Sequence, residues 1–239
     1  MAEVLTPQFW TGLLTIIWVN IILSGDNAVV IALAARSLPP HQQKKAVFWG
    51  AGAAVVMRIV LTIVAVELLK LSYLKLIGGA LLLWIAVKLL VPEDDEGEGI
   101  ESSSNLWGAI KTILIADLVM SLDNVIAVAA AAKGSIVLLV LGLAISIPLV
   151  IFGATMLMRL MERWPVIITI GAGILGWVAG EMAVTDPVIA HWVEENAAWL
   201  HWVAPALGAV LVIVVGKWIA SRAEREHKGV VDLAGEEPK

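Results

Sequence analysis

The chain has 239 residues, of which 60% are hydrophobic and 15% charged, and it contains no cysteine. Soluble domains are roughly 45–50% apolar and about 25% charged, so this composition excludes a soluble globular protein and predicts one embedded in a lipid bilayer. The missing cysteines exclude disulfides, thiolate metal sites and cysteine nucleophiles, and the net charge of -5 gives no indication of nucleic-acid binding.

Seven apolar runs of about 20 residues, the length that crosses a bilayer, predict an all-α, polytopic membrane protein of seven transmembrane helices. The first three spans cover approximately residues 10–35, 46–71 and 74–91. An acidic, flexible linker follows, and spans four to seven cover about 106–132, 135–160, 164–184 and 203–220. The predicted parts are therefore a first unit (1–91), a linker (92–105), a second unit (106–184), a loop with the seventh helix (185–222) and a tail (223–239).

Spans one and four carry the same polar motif. Ser24-Gly25-Asp26-Asn27 recurs 97 positions later as Ser121-Leu122-Asp123-Asn124, and at the same offset Asn20 matches Asp117. The two units therefore constitute a duplication with three spans in each copy. Because an odd number of spans reverses the direction of the second copy, the sequence predicts two inverted three-helix repeats plus one C-terminal helix.

Lysine and arginine residues predict the orientation of the chain in the membrane. Twelve lie on the side that holds the one–two, three–four and five–six connections and the C-terminus, against three on the other side. Since cytoplasmic loops are enriched in these residues, we expect a multi-pass protein of the cell membrane with its N-terminus outside and its C-terminus and linker in the cytoplasm. Five tryptophans near span ends are typical of interfacial anchors: Trp10, Trp49, Trp107, Trp164 and Trp202.

Spans one and four place polar side chains at membrane depth, where an ionisable group costs roughly 2.5–3.5 kcal/mol. A spacing of i, i+4 and i+7 puts three of them on one face of each helix: Asn20, Ser24 and Asn27 in the first repeat, and Asp117, Ser121 and Asn124 in the second. Asp26 and Asp123 lie about 100° round from these asparagines. We expect span one to loosen at Gly25, so that Asp26 and freed backbone carbonyls turn inward.

These residues predict an all-oxygen cation site at the repeat interface, near the bilayer midplane. The candidate ligands are Asp26, Asn27, Asp123, Asn124, Asn20 and Asp117, with Ser24, Ser121 and Gly25 in support. Such ligands favour hard divalent ions, namely Mn²⁺, Ca²⁺ or Mg²⁺, whereas zinc and copper would call for His or Cys. The three aspartates and Arg58 together leave a charge of -2, which one divalent ion balances.

Alternative roles exist for several of these side chains. Asn20, Ser24 and Ser121 are equally suited to hydrogen bonding between helices. Arg58 is expected to be a salt-bridge partner rather than a substrate ligand, with Asp117 as its mate. Glu67, near the outer end of span two, is either a solvated helix end or part of an exit path.

The paired motif, set in two three-helix repeats with a seventh helix and an acidic linker, resembles the TerC family of integral membrane proteins, particularly its shorter branch. The resemblance covers spans one to seven. It implies metal-ion handling, most often manganese export or delivery of manganese to exported enzymes, with a historical link to tellurium resistance. The family's motif positions match Asp26, Asn27, Asp123 and Asn124, and Asn20 and Asp117 are added from geometry alone.

Three functions compete at this stage. The leading hypothesis is a divalent-cation transporter that exports manganese, in exchange for protons taken up by Asp117 or Glu67. The second is a membrane scaffold that hands metal to secretion or metalation partners through the cytoplasmic linker and tail. The third, an intramembrane hydrolase, needs a nucleophile and a base, and no His or Cys lies at depth. We therefore expect a transporter and not an enzyme.

Overall fold

A computed structural model of the chain describes residues 7–68, 71–91, 102–132 and 135–234. Over these residues the chain forms nine helices and no strand, which confirms the all-helical prediction. In chain order they are α1 (Pro7–Leu23), α2 (Gly25–Ala35), α3 (Pro40–Leu68), α4 (Leu74–Leu90), α5 (Ser102–Ala132), α6 (Ile136–Arg163), α7 (Val166–Val184), α8 (Ala190–Asn196) and α9 (Leu200–Ala234).

Within the described ranges, four helices are individually long and apolar enough to cross a membrane: α3, α6, α7 and α9. Two further spans result if α1 with α2 counts as one bent span and the two parts of α5, Leu106–Leu122 and Asn124–Ala132, as another. The bends are 52° and 68° respectively. The remaining predicted span, α4, has 17 residues and is about 26 Å long, a little short of a ~30 Å hydrocarbon core. The fold therefore holds four to six candidate spans, against the seven predicted.

Three element boundaries differ from the sequence prediction. α5 begins at Ser102, inside the segment expected to be linker, because serine is well suited to a helix N-terminus. α9 continues to Ala234, through residues expected to form a tail, because good helix formers such as Ala, Glu, Arg and Lys follow its apolar part. The short helix α8 lies in the predicted loop. Residues 92–101 of the predicted linker lie outside the described ranges.

Large apolar side chains cover much of the protein's exterior, while one charged pair is buried inside it. Trp18, Ile77 and Phe152 are 66%, 66% and 70% exposed, and many other large apolar residues are similarly uncovered. Arg58 and Asp117, in contrast, are buried. The five predicted interfacial tryptophans are all more than half exposed. An apolar exterior with a charged pair confined to the interior fits a protein surrounded by lipid.

The helices of the two predicted repeats pack against each other crosswise. The second span of the first repeat, α3, packs on α5, and its counterpart α6 packs on α1 and α2. The third spans, α4 and α7, pack on each other. If the two repeats are exchanged, the contact of α3 with α5 becomes the contact of α6 with α1 and α2. The contact between α4 and α7 becomes itself. α9 stands outside this pattern and packs on α7 and α4.

The contact between α7 and α9 depends on glycine. A Cβ atom at Gly180 would collide with the backbone carbonyl of Ala204, and one at Gly176 would collide with that of Gly208. Gly208 in turn lies against the Gly176 carbonyl. Small residues at such positions let two membrane helices approach until their backbones touch, and that van der Waals packing holds them together.

A buried carboxylate joins the α7–α8 connection to the start of α4. The Asp186 side chain is fully buried and accepts hydrogen bonds from the backbone N–H groups of Val188, Leu76, Tyr73 and Lys75 at 3.0, 3.2, 3.3 and 3.1 Å. It thus caps α4, where Tyr73 has a left-handed backbone conformation. Burial acts to raise the pKa of Asp186, but the four N–H donors outweigh it and hold the pKa below the ordinary value of 3.8.

Candidate functional site

The first span is interrupted where its polar motif begins. Ser24 separates α1 from α2 and has a non-helical backbone conformation (φ -111°, ψ 5°). Its N–H makes only a long 3.4 Å contact to the Ile21 carbonyl, in place of the regular helical bond. The loosening predicted at Gly25 therefore falls one residue earlier. Gly25 itself opens α2 in an exposed position, where a Cβ atom would meet no other atom within 4 Å, so close packing does not require glycine there.

The break frees a backbone carbonyl that both repeats contact. The Leu23 oxygen accepts a hydrogen bond from the Asn27 side-chain amide at 3.3 Å and a second from the Asn124 side-chain amide at 3.0 Å. Asn27 and Asn124 occupy the same place in the two copies of the motif. The two motifs, far apart in sequence, are therefore brought together at this carbonyl.

Next to this carbonyl, Arg58 of α3 binds four side chains from the predicted polar faces. Its Nη2 donates to Asp117 at 2.6 Å, its Nη1 donates to Asn20 at 2.7 Å and Ser24 at 3.0 Å, and its Nε donates to Ser121 at 3.0 Å. All five residues are at most 5% exposed. The predicted Arg58–Asp117 pair is thus confirmed, and Asn20, Ser24 and Ser121 serve as its hydrogen-bonding partners. We refer to these five residues as the arginine cluster.

Charge distribution accounts for the one asymmetry in the motif surroundings. Asp117 stands where the first repeat has Asn20, and Arg58 lies on α3, whose counterpart α6 carries no charged residue between Ile136 and Met158. The second repeat therefore supplies an extra carboxylate and the first an extra guanidinium. Because the two form a salt bridge, their charges cancel.

Asp26 lies beside the cluster. Its carboxylate accepts a hydrogen bond from the backbone N–H of Asn27 at 2.8 Å and is partly buried. Asp26 is not among the residues that line the small cavity next to the arginine cluster. The side chains of Asp123 and Glu67 lie outside the described set, so their predicted roles stay predictions.

A small cavity adjoins the arginine cluster. It offers about 20 Å³ to the centre of a water-sized sphere, which is room for a single water molecule or ion. Its polar lining consists of Asn20, Ser24, Asn27, Arg58 and Asp117, and its apolar lining consists of Ile31, Ala51, Ala54, Val55, Ile147 and Val150. The buried Asn27 Oδ1 atom has no hydrogen-bond partner among the described residues. A buried amide oxygen without a partner is an available ligand for a cation.

The predicted six-residue ligand set is assembled only in part. Asn20 and Asp117 are engaged by Arg58, while Asn27 and Asn124 donate to Leu23. Among the described side chains, no three His, Cys, Asp or Glu residues are grouped so that they would hold a metal ion. The Asp123 side chain, a member of the predicted ligand set, is not among those described.

The sequence interpretation missed two interacting groups, the Leu23 carbonyl in the site and the Asp186 carboxylate at the start of α4. Leu23 contributes only its backbone carbonyl, for which the residue type gives no signal. Asp186 was not among the predicted site residues. A signal for it does exist, because it precedes Pro187 directly after the end of α7, a position where aspartate often bonds to nearby backbone N–H groups.

The fold and the site define a polytopic helical membrane protein in which a polar motif, present once in each repeat, is buried at a bend in the first span. A family described as "Integral membrane protein TerC family" matches residues 5–224 of the chain. The chain belongs to this family, as its motifs indicated.

Several bacterial relatives are similar over most of the chain. The "Uncharacterized membrane protein YjbE" of Bacillus subtilis is 43% identical over 207 residues, which cover 87% of this chain and 94% of that protein. The "Uncharacterized membrane protein YkoY" of the same organism is 25% identical over 95% of this chain and 77% of its own. The "UPF0053 inner membrane protein YoaE" of Escherichia coli K12 is 28% identical over 98% of this chain and 47% of its own. No solved structure matches the chain.

Proposed function

We propose that this protein is a divalent metal-ion transporter that exports manganese across the cell membrane. The observation that carries the proposal is the meeting of Asn27 and Asn124 at the Leu23 carbonyl, in a broken span beside an unpaired amide oxygen. Transporters commonly bind their substrates where discontinuous helices from two repeats meet, because the break leaves backbone and side-chain oxygens free to coordinate an ion.

The chemistry of the surrounding groups supports a hard divalent ion. Apart from Arg58, the polar residues that line the cavity carry amide, hydroxyl or carboxylate groups: Asn20, Asn27, Ser24 and Asp117. After Arg58 and Asp117 cancel, Asp26 and Asp123 leave two negative charges for one divalent ion. Such a set suits Mn²⁺, Ca²⁺ and Mg²⁺, and we favour Mn²⁺ on the basis of the family resemblance.

We also propose the inverted-repeat topology, with an external N-terminus and a cytoplasmic C-terminus. The crosswise packing of α3 on α5 and of α6 on α1 and α2 supports a two-fold relation between the repeats. Three spans in each repeat then require the copies to run in opposite directions, and the lysine and arginine distribution gives the orientation.

The decisive experiment is a flux measurement on the purified full chain in liposomes. Vesicles loaded with Mn²⁺ are diluted into buffer that contains a fluorescent chelator, with protein-free vesicles as the control. We expect protein-dependent Mn²⁺ release, reduced by competing Ca²⁺ or Mg²⁺ to the extent that those ions share the site. An imposed pH gradient of either sign tests exchange for protons.

The same experiment distinguishes transport from the alternative function, that of a scaffold that delivers metal to partners. Such a scaffold would bind Mn²⁺ but release none from vesicles. The extension of α9 to Ala234, well beyond the apolar part that ends at Arg222, supplies a helix to which a partner would dock. Binding with no flux at any pH gradient would therefore replace transport by delivery.

A further inference from the structure

The arginine cluster gives Arg58 the surroundings that a metal ion would have. Arg58 is 3% exposed, and oxygens from four side chains, two from each repeat, accept hydrogen bonds from its guanidinium. One partner is a carboxylate, one an amide and two are hydroxyls. These are the ligand types expected for a hard cation, and here a positively charged group of the protein already takes them up.

We propose that Arg58 is a tethered cation, which occupies these oxygens in the metal-free protein and makes the site selective for divalent over monovalent ions. The inference rests on the proposed function, because it assigns a role at the same site. It makes Arg58 a specificity-determining residue rather than a ligand.

Stability alone is a weak reason for this arrangement. A salt bridge removed from water loses most of its Coulomb energy to desolvation, and apolar residues of similar size are often as stabilising or more so. Arg58 also does more than neutralise Asp117, because its remaining donors bind Asn20, Ser24 and Ser121. A guanidinium with several fixed donors is suited to holding oxygens from different helices together in one arrangement.

The proposed selectivity follows from the difference in charge between Arg58 and the ion that displaces it. A monovalent ion that displaced Arg58 from Asp117 would replace one positive charge by another and leave a buried guanidinium without partners, which is costly. A divalent ion brings one more charge, and the carboxylate of Asp26 beside the cluster favours it electrostatically. The cavity and its unpaired Asn27 oxygen lie next to Arg58 and provide a place where an entering ion would first be bound.

The test measures Mn²⁺ binding to the purified full chain by titration calorimetry, with either sodium or the bulky cation N-methyl-D-glucamine in the buffer. If the state with Arg58 withdrawn is a minor one, Arg58→Gln should tighten Mn²⁺ binding by about 10–100-fold. It should also make that binding sensitive to sodium, to which we expect the parent to be insensitive. Arg159→Gln is the matched control, because Arg159 is an exposed arginine of α6 outside the cluster, and we expect parental behaviour.

Arg58→Lys tests whether Arg58 acts by occupying the four oxygens or only by repelling the metal ion. It is also the remaining test if Arg58→Gln does not fold. Lysine keeps the charge but presents one ammonium group, which does not reach all four oxygens together. We expect an affinity between those of the parent and Arg58→Gln. Parental affinity in Arg58→Lys, or unchanged affinity and sodium response in Arg58→Gln, would overturn the role of Arg58 while leaving transport intact. Absence of Mn²⁺ binding in the parent and both variants would instead remove the proposed function, and this inference with it.

Discussion

Asn27 and Asn124 belong to different repeats, yet their side-chain amides donate to the same backbone oxygen, that of Leu23. The carbonyl is available because the helix is interrupted at Ser24, and two donors compensate for the lost helical bond. The bond from Asn124 is also a direct link between the repeats at the candidate site. A motion that separates the repeats must break or exchange this bond.

The first prediction concerns the carboxylates of the paired motif. Asp26→Asn and Asp123→Asn should each weaken Mn²⁺ binding by at least the roughly 10–100-fold that loss of an outer-shell partner costs, and should nearly abolish flux. The physical reason is that each change removes a negative charge that the proposed cation site requires and keeps the side-chain volume. Calorimetry and vesicle flux measure the two effects, and gel filtration in detergent checks that the variants fold. Glu194→Gln, at an exposed position on α8, is the control. Parental flux in both aspartate variants would show that the paired motif serves packing.

The second prediction concerns the Arg58–Asp117 salt bridge. Asp117→Asn leaves the buried guanidinium without its counter-charge, so we expect destabilisation of about 3–5 kcal/mol. The double variant Arg58→Gln with Asp117→Asn removes both charges together and should recover much of this loss. Thermal melting in detergent measures the four members of the cycle.

The same variants also test proton exchange. If Asp117 takes up the exchanged proton, flux through folded Asp117→Asn should lose its dependence on an imposed pH gradient. Gradient dependence equal to that of the parent would leave Asp117 only as the partner of Arg58. In the stability cycle, a double variant whose loss equals the sum of the two single losses would indicate that Arg58 and Asp117 are not energetically coupled.

The third prediction is a pH dependence of stability from Asp186. Because its pKa in the folded protein lies below the ordinary value of 3.8, the carboxylate stabilises the fold fully at pH values above that ordinary value. This contribution is lost as the pH falls through the lowered pKa. Asp186→Asn should therefore melt at a lower temperature than the parent at pH 7, and the difference should shrink as the solution is acidified below about pH 4. A constant difference across that range would contradict the assignment.

The fourth prediction concerns the glycine contact between α7 and α9. Gly180→Ala places a methyl group against the Ala204 backbone, which cannot rotate away, so we expect a loss of about 1–3 kcal/mol. Gly108→Ala is the control, because Gly108 is an exposed α5 residue with nothing within 4 Å of an added Cβ, and alanine favours a helix. Its melting temperature should equal or exceed that of the parent. Equal melting of Gly180→Ala and the parent would show that α9 shifts at little cost.

Sequence patterns were most informative where a residue type carries its own physical cost. The Arg58–Asp117 pair was predictable because charges at membrane depth need partners, and the break near Gly25 was predictable because the buried polar motif demanded a cavity or an ion beside it. The spacing of Asn20, Ser24 and Asn27 correctly indicated a shared face. These inferences use local spacing and charge, which the sequence displays directly.

The partners of these groups were harder to predict. Asn124 bonds to a backbone carbonyl 101 positions away, and Asp186 bonds to N–H groups more than 100 positions away. Backbone groups are the same in every residue, so no sequence pattern marks them as partners. The contacts of Asn20 and Ser121 with Arg58 likewise depend on how α1 and α5 are placed relative to α3, which only the packed structure fixes.

The crosswise packing of the repeats bears on how such a chain arose. In isolation, one three-helix repeat lacks the surfaces that cover its own second span, because α3 is covered by α5 and α6 by α1 and α2. Under the inverted arrangement, an ancestral chain of one repeat would have been stable only as a pair of copies inserted in opposite directions. Under the same arrangement, fusion of the two copies would have allowed them to diverge. The Arg58–Asp117 pair, one charge from each repeat, is a difference that a homodimer of identical subunits has no means of encoding.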